Sequence, residues 1–67
     1  MVSIDDEIKR MEKEKEKLIK EMENLEDVKS RNEISEDDYK VEKNKIERKI
    51  VVIMDRLVQY RFIKGQS

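Results

Sequence analysis

The chain has 67 residues, 49% of them charged, with 16 Lys and Arg against 17 Asp and Glu for a net charge of −1. Neither cysteine nor histidine is present, which excludes disulfides, thiol chemistry and the usual zinc or haem sites. So short a chain buries too little surface to be robust alone, and with those staples excluded, burial against a partner is the remaining source of stability.

From the N-terminus, Ile4, Ile8, Met11, Lys15, Leu18, Met22 and Leu25 are separated by alternating steps of four and three. That is a heptad seam and predicts a helix over about 4–31, with Ile4, Met11, Leu18 and Leu25 at d and Ile8, Lys15 and Met22 at a. Ser3 is placed to cap its start. Asp5, Asp6 and Glu7 fill the first turn, where the helix dipole favours negative charge, and Lys29 and Arg31 stand at the end, where it favours positive charge. The run "EKEKEK", Glu12 to Lys17, alternates only in sign of charge, so it reads as a solvated helical face and not as a strand. Lys15 in the seam has two readings. It specifies pairing as a buried polar residue, or it snorkels to the rim, which is the simpler of the two.

The segment "SRNEISEDDYK", residues 30–40, predicts the break. Asn32 is the candidate left-handed residue that ends the first helix. Ser35 is the expected cap of the second, with Asp38 three residues on as the other half of a capping box, and Ile34 and Tyr39 at the positions of a hydrophobic staple. Glu36, Asp37 and Asp38 occupy the first turn.

The second helix is predicted over about 36–64. Tyr39, Lys43, Ile46, Ile50, Ile53, Leu57 and Tyr60 again step by four and three, and Gly65 is the expected stop, after Arg61 and Lys64. The β-branched run "IVVI" (50–53) carries strand propensity, but the heptad continues through it and no turn residue interrupts. Both helices come to roughly 28 residues, about 42 Å long. Matched lengths and a short turn predict an all-α fold, an antiparallel two-helix hairpin forming a single domain over 1–67. Residue i then lies opposite roughly 66 − i. Charge agrees: residues 1–38 hold 8 basic and 14 acidic side chains, net −6, and residues 39–67 hold 8 and 3, net +5. An acidic helix is expected against a more basic one.

The stretch "RKIVVIMDRLVQYRFI", Arg48 to Ile63, has more apolar side chains than one seam uses. The seam takes Ile50, Ile53, Leu57 and Tyr60. Val51, Met54, Val58 and Phe62 form a second stripe, flanked by Val52 and Ile63. Burying such side chains is worth roughly 1.5–3 kcal/mol each, and left exposed they form an association-prone patch. These six residues are therefore the candidate interface, either in a dimeric four-helix bundle or docked on a larger protein partner.

No chemistry is spelled out. A general acid needs a carboxyl in an apolar pocket, and one hairpin builds none. All-helical chorismate mutases begin with similar acidic–apolar helices, but they need a third helix and several pocket arginines. No catalytic residue, cofactor or metal site is expected. Lys40, Lys43, Lys45, Arg48, Lys49, Arg56, Arg61 and Lys64 raise nucleic-acid association as the alternative function. They spread around the helix, however, and a pI near 5.5 lacks the usual basic footprint. With no bilayer-length apolar run, no signal-type segment and no cysteine, a cytoplasmic location with no membrane partner is expected. Abundant Lys, Glu, Ile and Val give a thermophile-like composition.

The segment "ISEDDY", Ile34 to Tyr39, after an acidic–apolar helix and a tight turn, resembles the short C-terminal (SHOCT-like) helical-hairpin element over residues 25–50. That family has Gly before the Ile-Ser/Thr, where this chain has Asn32 and Glu33. The resemblance implies a protein-interaction or oligomerisation hairpin and no catalysis. In size and composition the chain is also similar to small accessory subunits of archaeal or thermophile complexes, such as replication or transcription machinery. The expected function is thus a non-enzymatic interaction module.

Overall fold

Two helices, α1 over Ile4–Ser30 and α2 over Glu36–Gln66, lie against each other in a computed structural model that describes residues 3–66. Among these residues there is no strand, and the "IVVI" run is helical. The hairpin measures 49 × 17 × 14 Å, as expected for helices of 27 and 31 residues at about 1.5 Å per residue.

The start of α1 is tied reciprocally. Ser3 Oγ accepts from Asp6 N at 3.1 Å, and Ser3 N donates to Asp6 Oδ2 at 3.4 Å. The complete capping box is therefore here. At α2, Ser35 Oγ accepts from Asp38 N at 3.1 Å, but no return bond from Ser35 N to the Asp38 carboxylate is made among the described residues. The expected box at Ser35 is therefore a one-sided cap, whereas Asp at the equivalent position of α1 closes the box from both sides.

The turn closes as a Schellman motif. Asn32 takes φ 58°, the left-handed conformation. Its N–H donates to Lys29 O at 3.0 Å, and Glu33 N donates to Val28 O at 3.1 Å. These bonds satisfy carbonyls that the end of α1 leaves open. Asn tolerates this φ because its short polar side chain is less crowded there than a branched one.

Gly65 does not stop α2. The helix runs to Gln66, and Gly65 has no positive φ. Glycine weakens a helix by about 1 kcal/mol against alanine but terminates it only where the chain needs a left-handed residue.

Burial follows the seam. Ile8, Met11, Leu18 and Leu25 of α1 and Ile46 and Leu57 of α2 are buried, while Ile4, Met22, Tyr39, Ile50, Ile53 and Tyr60 are half-buried. The core divides in two: Ile8, Met11 and Leu57 near the open end, and Leu18, Leu25 and Ile46 toward the turn. Lys15 is the α1 seam residue between these groups, and a lysine there supplies no apolar head to join them. Ile53 packs against both clusters and bridges the gap from α2. Ile34 and Tyr39, the staple pair, pack on the turn-side cluster and fix how the chain enters α2.

Candidate interaction surface

What positions any functional surface on this hairpin is the rotation of α2, and the seam sets that rotation. With one face of α2 committed to α1, the remaining arc faces water. The exposed large apolar side chains are concentrated on that arc: Val51 (65% exposed), Val52 (47%), Met54 (50%), Val58 (66%), Phe62 (63%) and Ile63 (54%). All six candidate interface residues therefore lie on the solvent side. They do not form one stripe. Val58, Phe62 and Ile63 line one shallow cleft with Gln59, and Val51 and Val52 line another with Asn44, Glu47 and Arg48. Val52 also reaches an open groove beside α1, where Glu14, Lys17, Leu18 and Glu21 stand.

Two further residues belong to this surface and escape the periodicity argument. Val41 is 52% exposed on α2, and Ile19 is 42% exposed on α1. Val41 lies 21 residues, nearly six helical turns, before Phe62 and so shares its line along the helix. That seven-residue spacing was readable, but it needs the seam to say which way the line faces. Ile19 has no apolar neighbour at heptad spacing and could not be placed from α1 alone.

The rest of the surface is ionic. Arg61 meets Glu12 at 2.6 Å and Lys64 meets Asp5 at 2.5 Å across the open end, and Lys29 pairs with Glu36 across the turn. The ammonium of Lys64, first by its hydrogen bond and then by its charge, holds the Asp5 carboxyl below its usual range, and Lys29 does the same for Glu36. Tyr39 donates its hydroxyl to the Glu26 carboxylate, and Lys29 and Lys43 stand 5.4 and 5.5 Å from the centre of its ring. The acceptor carboxylate favours the protonated phenol and raises the Tyr39 pKa, while the Tyr39 hydroxyl, and then Glu26, raise that of Lys43.

No polar or charged residue is buried among those described, and no group of three or more carboxylates is arranged to hold a metal ion. No described helix is long and apolar enough to cross a membrane. Comparison with protein-family models, with curated proteins and with solved structures gives no match.

Proposed function

We propose that this chain is a non-enzymatic protein–protein interaction module, a helical hairpin that presents the outer arc of α2 to a protein partner in the cytoplasm. One observation carries the reading: the large apolar side chains left in water lie mostly on one helix, between Val51 and Ile63. The outward side of α1 supports it by contrast, because Lys9, Lys13, Glu16, Lys20, Glu23 and Asp27 are all charged and exposed. An apolar arc on one helix and a charged face on the other suit a module that is covered on one side and solvated on the other. The absence of cysteine accords with a reducing compartment.

The cations of α2 add little weight to nucleic-acid binding. Arg61, Lys64 and Lys45 are already paired with Glu12, Asp5 and Glu42. The reading is tested by the double variant V51D/V58D. Sedimentation of the pure chain and capture of proteins from an extract of the source cells are run with both forms. Loss of assembly, or of a stoichiometric bound protein, in the variant supports the module. Identical behaviour of both forms in both assays rejects it.

A further inference from the structure

The residues of α2 that point directly away from α1 run in a particular order. Val41, Arg48, Asp55 and Phe62 recur every seven residues, with Val51 and Val52 midway and the neutral Asn44 and Gln59 between, and all eight are exposed. Read along the helix this is apolar, neutral, cation, apolar pair, anion, neutral, apolar. A two-fold axis between Val51 and Val52 maps that order onto its complement.

We propose that this face of α2 pairs antiparallel with the same face of a second copy, giving a four-helix assembly with the two α2 helices at its centre. The inference rests on the reading of the chain as an interaction module. In this register Arg48 stands opposite the partner's Asp55, and Asp55 opposite the partner's Arg48. Val41 meets the partner's Phe62 at each end. Val51 and Val52 meet their own symmetry mates at the axis. Within one chain Arg48 makes no ion pair among the described residues, and Asp55 contacts only the Gln59 amide, at 3.4 Å. They lie seven residues, about 10 Å, apart on their own helix, too far to pair with each other. The second copy supplies to each the charge that its own chain does not.

Other arrangements fail on charge. Parallel in-register pairing sets Arg48 against Arg48 and Asp55 against Asp55, which repels at both positions. An antiparallel pair centred on Arg56 instead sets Arg48 beside the partner's Lys64, which repels. The charged residues thus fix direction and register, and the valines and Phe62 supply the contact area.

The chain exposes 5490 Å², about 1,000 Å² more than a globular monomer of its mass by the usual scaling, as an elongated hairpin of 49 × 17 × 14 Å must. The outward face of α1, where Lys9, Lys13, Glu16, Lys20, Glu23 and Asp27 are exposed, leaves α2 as the helix that meets the partner.

The chain has no cysteine, so single cysteines report the register directly. With V51C, oxidation should link the dimer, because this position sits beside the axis. With V58C it should not, because the two α carbons would lie about 20 Å apart along the helices, far beyond the roughly 7 Å limit for a disulfide. Sedimentation gives the second arm. R48D and D55R alone should each raise the dimer dissociation constant by about tenfold or more, and R48D/D55R together should return it to within about threefold of the native value, since both pairs re-form reversed. Helicity measured for each variant confirms that these surface changes leave the hairpin folded. Linking at Val58 as ready as at Val51, or a double variant as weak as the singles, overturns this register. A native chain that stays monomeric at millimolar concentration overturns self-pairing altogether. The interaction reading then stands or falls separately, on whether V51D/V58D releases a bound protein.

Discussion

Arg61 reaches across the hairpin to Glu12, its Nη2 2.6 Å from the Glu12 Oε1, although the two residues are 49 positions apart in sequence. The contact ties the edges of the two helices together toward the open end, where the buried seam of Ile8, Met11 and Leu57 sets the register. Seven residues inward from each partner, the same edge carries Ile19 and Met54, 42% and 50% exposed. The edge therefore changes from ionic to apolar within two helical turns, and Met54 and Ile19 extend the exposed arc of α2 onto α1.

Both ends of the Arg61–Glu12 pair face solvent, at 56% and 43% side-chain exposure, so screening limits its worth. Arg61→Ala should destabilise the hairpin by no more than about 1 kcal/mol. Its melting temperature should fall measurably at low salt and converge on that of the native chain near 1 M salt. A loss that persists at high salt would assign Arg61 a packing role through its aliphatic stem instead.

Leu57 should be the most sensitive position. It is 3% exposed and packs with Ile8 and Met11, whereas Val58 beside it is 66% exposed. Leu57→Ala removes buried methyl groups from a small cluster and should cost about 2–5 kcal/mol, a large share of what so short a chain can hold. Val58→Ala should change the stability of the isolated hairpin by less than about 0.5 kcal/mol. Thermal melts followed by circular dichroism at low concentration, where self-pairing is absent, compare the two. Equal losses would mean that the seam is rotated from its position here.

The seam and the turn were legible in the sequence because each rests on a short-range rule. Alternating four- and three-residue steps place Ile8, Met11, Leu18, Leu25, Ile46 and Leu57 on facing stripes, and these are the buried residues. Asn32 was readable as the left-handed residue because the segment offers no glycine. The end of α2 was not legible, since Gly65 permits a left-handed conformation without requiring one, and the helix passes through it. The spacing 66 − i holds approximately at the turn, where Glu26 meets Tyr39 and Lys29 meets Glu36, but at the open end Arg61 reaches Glu12 through its long side chain. The place of Ile19 follows from that register and from nothing local to α1. Likewise the complementarity of Arg48 and Asp55 becomes visible only after the seam has told which arc of α2 faces outward.

Asn32 offers a test of the turn that leaves the core untouched. Its φ of 58° costs most residues about 1–2 kcal/mol, a penalty that alanine bears and glycine does not. Asn32→Ala should therefore destabilise by about 1 kcal/mol, and Asn32→Gly should match or exceed the native chain. Urea titrations with a common slope would show that the turn, and not the compactness of either state, is responsible. A destabilised glycine variant would mean that the Asn side chain itself holds the turn.

The charged pairs set a stability plateau whose edges can be assigned. Asp5 and Glu36 titrate below their ordinary values of 3.8 and 4.5 because Lys64 and Lys29 bond and attract their ionised forms. Stability from these pairs is complete above the unfolded values and is lost as pH falls through the lowered folded ones. Tyr39 and Lys43 behave in the opposite sense. Their pKa values are raised above 10.0 and 10.5, so their contribution is complete below those values and is lost as pH rises through the raised ones, when a phenolate would face the Glu26 carboxylate and Lys43 would lose its charge. The melting temperature should stay level between about pH 5 and pH 10 and fall on both sides. Lys64→Ala and Lys29→Ala should each shallow the acid limb, because each removes one carboxylate's partner. Tyr39→Phe should shallow the alkaline limb alone. The same limbs in all four proteins would place the responsible carboxylates and phenol elsewhere on the hairpin, and would leave Tyr39 as a packing residue of the turn.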